Sequence, residues 1–367
     1  MRNQTPRMNW NIVAGFLIGA GFLYISLRGI QLEKLWDSLE RADYKILILA
    51  SLVYTITFIF RTYRWGELLR PLTSARFSSL YHATTIAFMV NNILPLRIGE
   101  AVRAYLIGEW EEIDKAAAFA TVIWERIFDS LALFPIILTL IFLPFPAPNW
   151  LRVAIAFIFS AYAVMIAMIV GLAFAKKSTK RKIHWIVSAC LTIFRKLAGF
   201  IPNSGQESKK GDSIKSRVSS ISDLILKQTD SFADMLLKVI DVIRNPLILI
   251  KISILSFLIS IFIFLNIQMT IVAFFGIETH WTAGALMIVM IYMAVAIPST
   301  PGYVGTFHGV CVLVLLKFDI DKSAGVGFAF LLHSMHYLIN IALGMVSLLG
   351  RNLSLSRVTA QARKPQD

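Results

Sequence analysis

Charged residues and cysteines are scarce in this chain, and both shortages exclude classes of protein. Only 16% of the 367 residues are charged, whereas a soluble globular chain has about one quarter. The two cysteines, Cys190 and Cys311, lie far apart without metal-ligand spacing, so neither a disulfide framework nor a cysteine metal site is expected. The sequence also lacks a glycine-rich nucleotide-binding loop, and we expect no cofactor.

Hydrophobic residues make up 57% of the chain, and the mean hydropathy is +0.68. This composition predicts an integral membrane protein. We expect an all-α fold, the cell membrane as its location and membrane lipids as its partners. The net charge is +14. Because the basic residues cluster at the ends of apolar runs, they are typical of membrane topology and anionic lipid surfaces, not of nucleic-acid binding.

Six apolar stretches are long enough to span a bilayer, which takes about 20 residues. We predict full spans at residues 9–27, 43–60, 116–143, 151–174, 247–275 and 323–349. A cleaved signal peptide is the alternative for the first. Two further apolar regions, 80–108 and 282–316, are each interrupted by proline and glycine. We predict a re-entrant helical hairpin for each, and one kinked span or two ordinary spans are the alternatives.

Basic residues predict that both termini are cytoplasmic. The segment after the second predicted span is predicted to be a cytoplasmic loop, because its basic residues outnumber its single acidic residue, Glu67. The basic residues are Arg61, Arg64, Arg70 and Arg76. The first hairpin then enters from the cytoplasm and the second from outside, so the membrane units 43–175 and 247–350 form an inverted repeat. Residues 1–42 form an N-terminal helix and linker, and 351–367 a cytoplasmic tail. The basic segment 176–246 predicts amphipathic helices that pack on the bundle or lie on the lipid surface.

The two breaks carry the functional prediction. Irregular backbone at membrane depth is tolerated only where it is buried in protein or lines a wet cavity, and paired breaks mark the binding site of many transporters. The candidate residues of the first break are Asn91, Asn92, Pro95, Arg97, Gly99, Glu100 and Arg103. Those of the second are Pro298, Pro301, Gly302, Gly305 and His308.

Three more charges, Glu125, Arg126 and Asp129, lie inside the predicted span 116–143. Each would cost about 3 kcal/mol in contact with lipid, so they should face the bundle interior. One arrangement pairs the carboxylates with some arginines and leaves another arginine free for phosphate. The alternative is that all these charges only hold helices together. His333 and His336 could bind a metal with His308, but a satisfied polar pair is the simpler interpretation.

Taken together, these motifs resemble the signatures of the lysylphosphatidylglycerol synthase transmembrane family, the flippase-like domain also found in multiple peptide resistance factors. The matching motifs, within about 45–345, are Asn91-Asn92-Ile93-Leu94-Pro95, Arg97-x-Gly99-Glu100-x-x-Arg103, Glu125-Arg126-x-x-Asp129 and Pro298-x-x-Pro301-Gly302-x-x-Gly305. Two positions depart from the family pattern: Tyr303 stands where a glycine is usual, and His308 where an acidic residue is usual.

The resemblance implies a flippase-like transporter that moves a polar-headed lipid, anionic or aminoacylated, between leaflets. It also implies headgroup binding by Arg97, Arg103 and Arg126. Because the chain ends soon after the last predicted span, we expect no synthase domain and no enzyme activity. Two alternatives stay open. One is an integral-membrane lipid-linked transferase with Glu125 and Asp129 as an acid/base pair, and the other is a non-catalytic partner of a separate synthase or glycosyltransferase.

Overall fold

The structure, a computed structural model, describes residues 20–21, 23–94, 97–142, 160, 245–276, 281–296 and 300–353. Every regular element in these residues is a helix, as expected for an all-α protein. Pro95, Pro298, most of the predicted spans 9–27 and 151–174, and the segment 176–244 lie outside the described residues. The contacts between elements discussed below belong to one compact unit, residues 1–164 with 250–367.

We number the described α-helices in chain order. They are α1 Leu32–Glu40, α2 Tyr44–Leu69, α3 Phe77–Ile93, α4 Ile98–Trp110, α5 Lys115–Ala132, α6 Phe134–Phe142, α7 Pro246–Phe275, α8 Trp281–Ala296, α9 Thr306–Leu315 and α10 Lys322–Gly350. Two short 3₁₀ helices, Pro301–Tyr303 and Leu316–Phe318, flank α9.

Four helical runs in the described residues are long and apolar enough to cross a membrane: α2, α7, α10 and the run Pro301–Phe318. Helices α7 and α10 coincide with the predicted spans 247–275 and 323–349, and α2 covers the predicted span 43–60 and continues beyond it. The run Pro301–Phe318 reaches its length by joining α9 to both 3₁₀ helices across a turn at Val304 and Gly305. It is the second half of the predicted hairpin 282–316.

Polar caps mark where the long apolar helices begin. The Asp43 carboxylate accepts hydrogen bonds from the backbone N–H groups of Lys45 at 2.9 Å and Ile46 at 3.3 Å. Asp321 accepts one in the same way from Ser323 at 2.9 Å. The first N–H groups of a helix have no partner within it, so these side chains stabilise the starts of α2 and α10.

The predicted span 116–143 is two helices, not one. Its helix is interrupted at Leu133, where α5 ends and α6 follows. Pro135 explains the break, because proline has no N–H to donate and its ring disfavours helical backbone before it. The Leu133 N–H bonds instead to the Ser130 carbonyl at 3.1 Å, and the helical ladder resumes at Ile137.

The prediction that Arg61 and Arg64 lie in a cytoplasmic loop is wrong. Helix α2 continues past the predicted end to Leu69, and both arginines lie inside it. Arg64 is completely buried and Arg61 is 7% exposed. Trp65 and Leu68 extend the buried face of the helix beyond the arginines. Arg64 also pairs with the Asp129 carboxylate inside the bundle, so α2 continues through both arginines.

Helices α3 and α4 form the first hairpin. Arg351, just after α10, shows that the chain reverses. Its guanidinium donates to the Ser79 hydroxyl at 3.2 Å, near the start of α3, and lies 4.5 Å from the ring centre of Trp110, at the end of α4. Helix α3 also packs on α10, where the hydroxyls of Thr85 and Ser347 are 2.7 Å apart.

Helices α8 and α9 pack against each other and form the second hairpin. Its surroundings are apolar. Buried side chains from α6 to α10 make one core cluster, among them Ile137, Ile271, Leu286, Cys311 and Phe328. The first hairpin therefore lies beside polar groups of α10, whereas the second packs among apolar side chains of the protein.

Candidate functional site

The two breaks meet. The Arg97 side chain, at the start of α4, donates a hydrogen bond to the backbone carbonyl of Val295, near the end of α8. Its guanidinium also lies 5.7 Å from the ring centre of Tyr303. Gly302 approaches the Asn92 carbonyl so closely that an added Cβ would lie 3.2 Å from that oxygen. The predicted breaks, about 200 residues apart in sequence, therefore form one region.

The first break depends on glycine at position 99. The Gly99 N–H donates to the Asn91 side-chain oxygen at 2.8 Å, which ties the start of α4 back to the last turn of α3. A Cβ on Gly99 would collide with the backbone carbonyl oxygen of Ala87. Arg97, immediately before α4, has a left-handed backbone with φ of 53°. The hairpin can therefore turn tightly only with a glycine on its inner face.

The second break is built from left-handed backbone. Gly302, Tyr303 and Gly305 have φ values of 63°, 62° and 94°. A left-handed conformation costs a residue with a Cβ roughly 1–2 kcal/mol, so the backbone at Tyr303 is one that glycine would adopt at a lower cost. The His308 ring accepts a hydrogen bond from the Gly305 N–H at 3.3 Å and so caps the start of α9.

A chain of ion pairs runs from the first break into the bundle. Arg97 lies 3.7 Å from Glu100, Glu100 3.1 Å from Arg126, and Arg126 3.0 Å from Asp129. Two of the carboxylates predicted from the sequence, Glu100 and Asp129, therefore belong to one network with Arg97 and Arg126, and the network links α4 to α5.

The network ends on two buried arginines. Arg64 lies 2.6 Å from Asp129 and 3.3 Å from Glu125, and Arg103 pairs with the other oxygen of Glu125. Arg64, Arg103 and Glu125 are each at most 2% exposed. The Arg64 guanidinium also donates to the Ser256 hydroxyl on α7 at 3.0 Å, so one charged group joins three helices.

Between the breaks lies a cavity of about 300 Å³. Seven of the residues predicted from the two breaks and from span 116–143 line it: Asn91, Asn92, Arg97, Glu100, Arg126, Asp129 and Gly302. Gly99, Arg103, Glu125, Pro301, Gly305 and His308 do not line it, although each is in or beside an element that does. Pro95 and Pro298 lie outside the described residues.

Four further residues line the cavity and were not among the candidate site residues predicted from the sequence: Tyr54, Arg61, Tyr292 and Asn340. The sequence predicts a cytoplasmic loop at Arg61. A detectable signal was its spacing of three residues from Arg64 and seven from Tyr54, which puts all three near one helix face. The Tyr54 hydroxyl donates to the Asn340 side-chain oxygen at 3.1 Å, which joins α2 to α10 across the cavity wall.

The two histidines of α10 line the cavity and are held by hydrogen bonds. His333 Nε2 donates to the Gly302 carbonyl at 2.7 Å, which fixes the second break to α10. His336 Nε2 lies 2.7 Å from the Asn266 side-chain oxygen, and the Asn266 amide donates to the Ala50 carbonyl at 2.9 Å. Within the described part of the chain, no three histidine, cysteine or acidic side chains are grouped to hold a metal.

Fold and sequence together define a multi-pass, all-α membrane protein with a charged cavity between two broken helical regions. The family described as the lysylphosphatidylglycerol synthase TM region matches residues 12–344, and the chain belongs to this family. The resemblance predicted from the break motifs is thus confirmed.

Three relatives are similar over parts of the chain. A UPF0104 membrane protein of Methanocaldococcus jannaschii is 31% identical over 30% of this chain and 33% of its own length. Glycosyltransferase AglD of Haloferax volcanii is 31% identical over 33% of this chain and 20% of its own. A UPF0104 membrane protein of Methanothermobacter thermautotrophicus is 23% identical over 78% of this chain and 80% of its own. The chain thus spans about a third and a fifth of the first two relatives.

Proposed function

We propose that the protein is a flippase-like transporter that moves a polar-headed lipid between the leaflets of the cell membrane. The observation that carries this proposal is the meeting of the two breaks around one cavity, with Arg97 contacting Val295 and Tyr303 across it. Transporters often have their sites at such a junction of broken helices.

In this proposal the hairpins are re-entrant, their tips reach the middle of the membrane, and they enter from opposite faces of an inverted repeat with cytoplasmic termini. The cavity volume of about 300 Å³ suits a headgroup, since sites for small molecules measure about 300 to 1,000 Å³. The acyl chains would stay in the lipid. An anionic headgroup fits best, because arginines outnumber carboxylates at the cavity wall.

The cavity wall also has an apolar side that suits a lipid. Ile263, Ile267 and Ile291 face the same space as Arg97 and Arg126. A ligand that fills it would bring polar and apolar surface together, as the glycerol region of a lipid does. Free inorganic ions would leave the isoleucine side without a partner.

A lipid-linked transferase is the second candidate, favoured by the similarity to a relative named as a glycosyltransferase. The match covers only 20% of that relative. In the transferase, Glu125 and Asp129 would exchange protons with substrate. Each carboxylate instead has two arginine partners, which occupy both of its oxygens. The role of a partner to a separate lipid-modifying enzyme remains compatible with either.

The proposal is tested by reconstituting the full chain in liposomes with a headgroup-labelled phospholipid and adding a membrane-impermeant quencher. Wild-type protein should expose the inner-leaflet label at a rate well above that of empty liposomes. Arg97→Ala should slow this at least tenfold, because it removes the contact between the breaks. The control is Arg41→Ala, whose side chain is 77% exposed and pairs with Asp37 on α1.

Movement of label at the rate of empty liposomes, for phospholipids and for polyprenyl phosphates alike, would contradict the proposal. Equal rates for wild type and Arg97→Ala would contradict a role in lipid movement for the contact between the two breaks.

A further inference from the structure

We infer that Arg61 forms a phosphate-binding site in the wall of the cavity. The inference deepens the proposed function and rests on it in one respect, namely that a lipid headgroup is the physiological source of the phosphate. Arg61 belongs to none of the break motifs, and it lies on α2, outside both hairpins.

Arg61 is a buried cation that forms no direct ion pair with any carboxylate in the part of the chain that the structure describes. It is 7% exposed and faces the cavity. Among the described residues no acidic side chain lies within ion-pairing distance of it, and its guanidinium makes no hydrogen bond there. What it contacts is the face of Phe88, whose ring centre lies 4.9 Å away. An aromatic face attracts a cation but leaves all five N–H donors unused.

The neighbouring arginines are in a different situation. Arg64, Arg97, Arg103 and Arg126 each pair with at least one of the three carboxylates in the network. Those four cations already exceed the three anions by one, and Arg61 raises the excess to two. Arg97 and Arg126 are about one third exposed, so the buried part of this group in the described residues is Arg61, Arg64 and Arg103 with Glu125 and Asp129, an excess of one. A buried positive excess in a membrane is strongly unfavourable until an anion joins it.

A phosphate group is the anion that these features suit. The planar guanidinium presents two parallel N–H donors that match two phosphate oxygens. Arg97 and Arg126, on the same wall, already share Glu100 and can add positive potential without leaving it. A carboxylate ligand would offer the fork two oxygens but less charge and no further oxygens for these neighbours.

The decisive experiment measures binding in detergent with the purified full chain. Three probes are compared by calorimetry: inorganic phosphate, dioctanoyl phosphatidylglycerol, and dioctanoylglycerol, which has the same chains without phosphate. Four proteins are compared: wild type, Arg61→Gln, Arg61→Lys and the exposed control Arg41→Gln. Melting temperature without ligand reports whether each variant is folded.

We expect wild type to bind dioctanoyl phosphatidylglycerol and to bind dioctanoylglycerol at least tenfold more weakly. Arg61→Gln should lose at least tenfold in affinity for the phosphate-bearing lipid and nothing for the glycerol lipid. Arg61→Lys should keep part of the affinity, since it retains the charge and loses the fork. Removing the unpaired charge should leave the melting temperature of Arg61→Gln equal to or above that of wild type, whereas Arg41→Gln should bind like wild type.

The three probes and four proteins distinguish the possible outcomes. Binding of inorganic phosphate at Arg61, without competition from the lipid, would support the phosphate site and assign it to a soluble ligand. Equal affinity of wild type and folded Arg61→Gln for every probe would overturn the inference, even if lipid movement in liposomes is intact. Arg61-dependent binding without any lipid movement would instead leave the site standing and contradict the proposed function.

Discussion

The two hairpins line the same cavity, but the first is rich in charged side chains and the second is almost entirely apolar. The first, α3 and α4, contains Arg97, Glu100, Arg103 and Glu109, whereas the second, from Trp281 to Phe318, contains Lys317 as its one charged residue. Ion pairs to α5 hold the first hairpin in place. Apolar packing holds the second, and three left-handed residues shape its turn.

This difference separates two tasks. Charges inside a membrane fix position and select the sign of a ligand, but each needs a counter-charge, either from the protein or from the ligand. Left-handed glycines allow backbone carbonyls to approach a cavity without adding charge. We infer that the first hairpin supplies the electrostatic part of the site, and that the second supplies a shaped wall which His333 and Arg97 hold by its carbonyls.

The largest expected effect comes from removing a carboxylate of the network. Glu125→Gln leaves Arg64 and Arg103 buried with fewer anions and should lower the free energy of unfolding by about 3–5 kcal/mol. Thermal unfolding in detergent measures it. The control Glu67→Gln affects a carboxylate whose partners Arg70 and Lys251 are more than half exposed, and should cost less than about 1 kcal/mol. Equal losses would mean that the network is not buried as described.

A smaller effect tests the tight turn of the first hairpin. Gly99→Ala places a Cβ against the Ala87 carbonyl and should destabilise the protein by about 1–3 kcal/mol. Gly325→Ala, in α10, has no neighbour closer than 3.6 Å and should be neutral or stabilising, because alanine favours a helix. Melting temperatures of the two variants check this. A neutral Gly99→Ala would contradict the close approach of α3 and α4.

The smallest effect tests the strained turn of the second hairpin. Tyr303→Gly and Tyr303→Ala both remove the ring next to Arg97, and they differ by one Cβ. At a φ of 62° the glycine variant should be more stable than the alanine variant by about 1 kcal/mol. In a right-handed helix the order would be reversed. Chemical denaturation of the pair measures the difference, and a more stable alanine variant would place Tyr303 outside the left-handed region.

The sequence predicted three of the long apolar helices and the positions of the two breaks, because both depend on local chemistry. Long apolar runs specified α2, α7 and α10, and proline with glycine specified the two breaks. The interruption at Leu133 could also have been predicted, since Pro135 follows it by two residues in the sequence. Charges at three- and four-residue spacing predicted that Glu125, Arg126 and Asp129 face inward, as they do.

Partner choice between distant residues could not be predicted in this way. Arg61 and Arg64 belong to an arginine-rich stretch of the kind that is typical of cytoplasmic loops. Arg64 is buried in the bundle because it pairs with two carboxylates of α5. Nothing local distinguishes Arg64, which pairs with two carboxylates, from Arg61, which forms no ion pair among the described residues. The meeting of residues 97 and 295 likewise depends on how helices pack across the whole unit.

Cross-linking of the two breaks tests the central claim most directly. Cysteines at Asn92 and Gly302 should be joined by a short thiol-specific linker in liposomes, and the cross-link should stop lipid movement until it is cleaved. The control pair, Asn92 with the exposed Leu313 on α9, should not join. Failure of the first pair to join in folded protein, or lipid movement at the wild-type rate after it has joined, would contradict a single site built from both breaks.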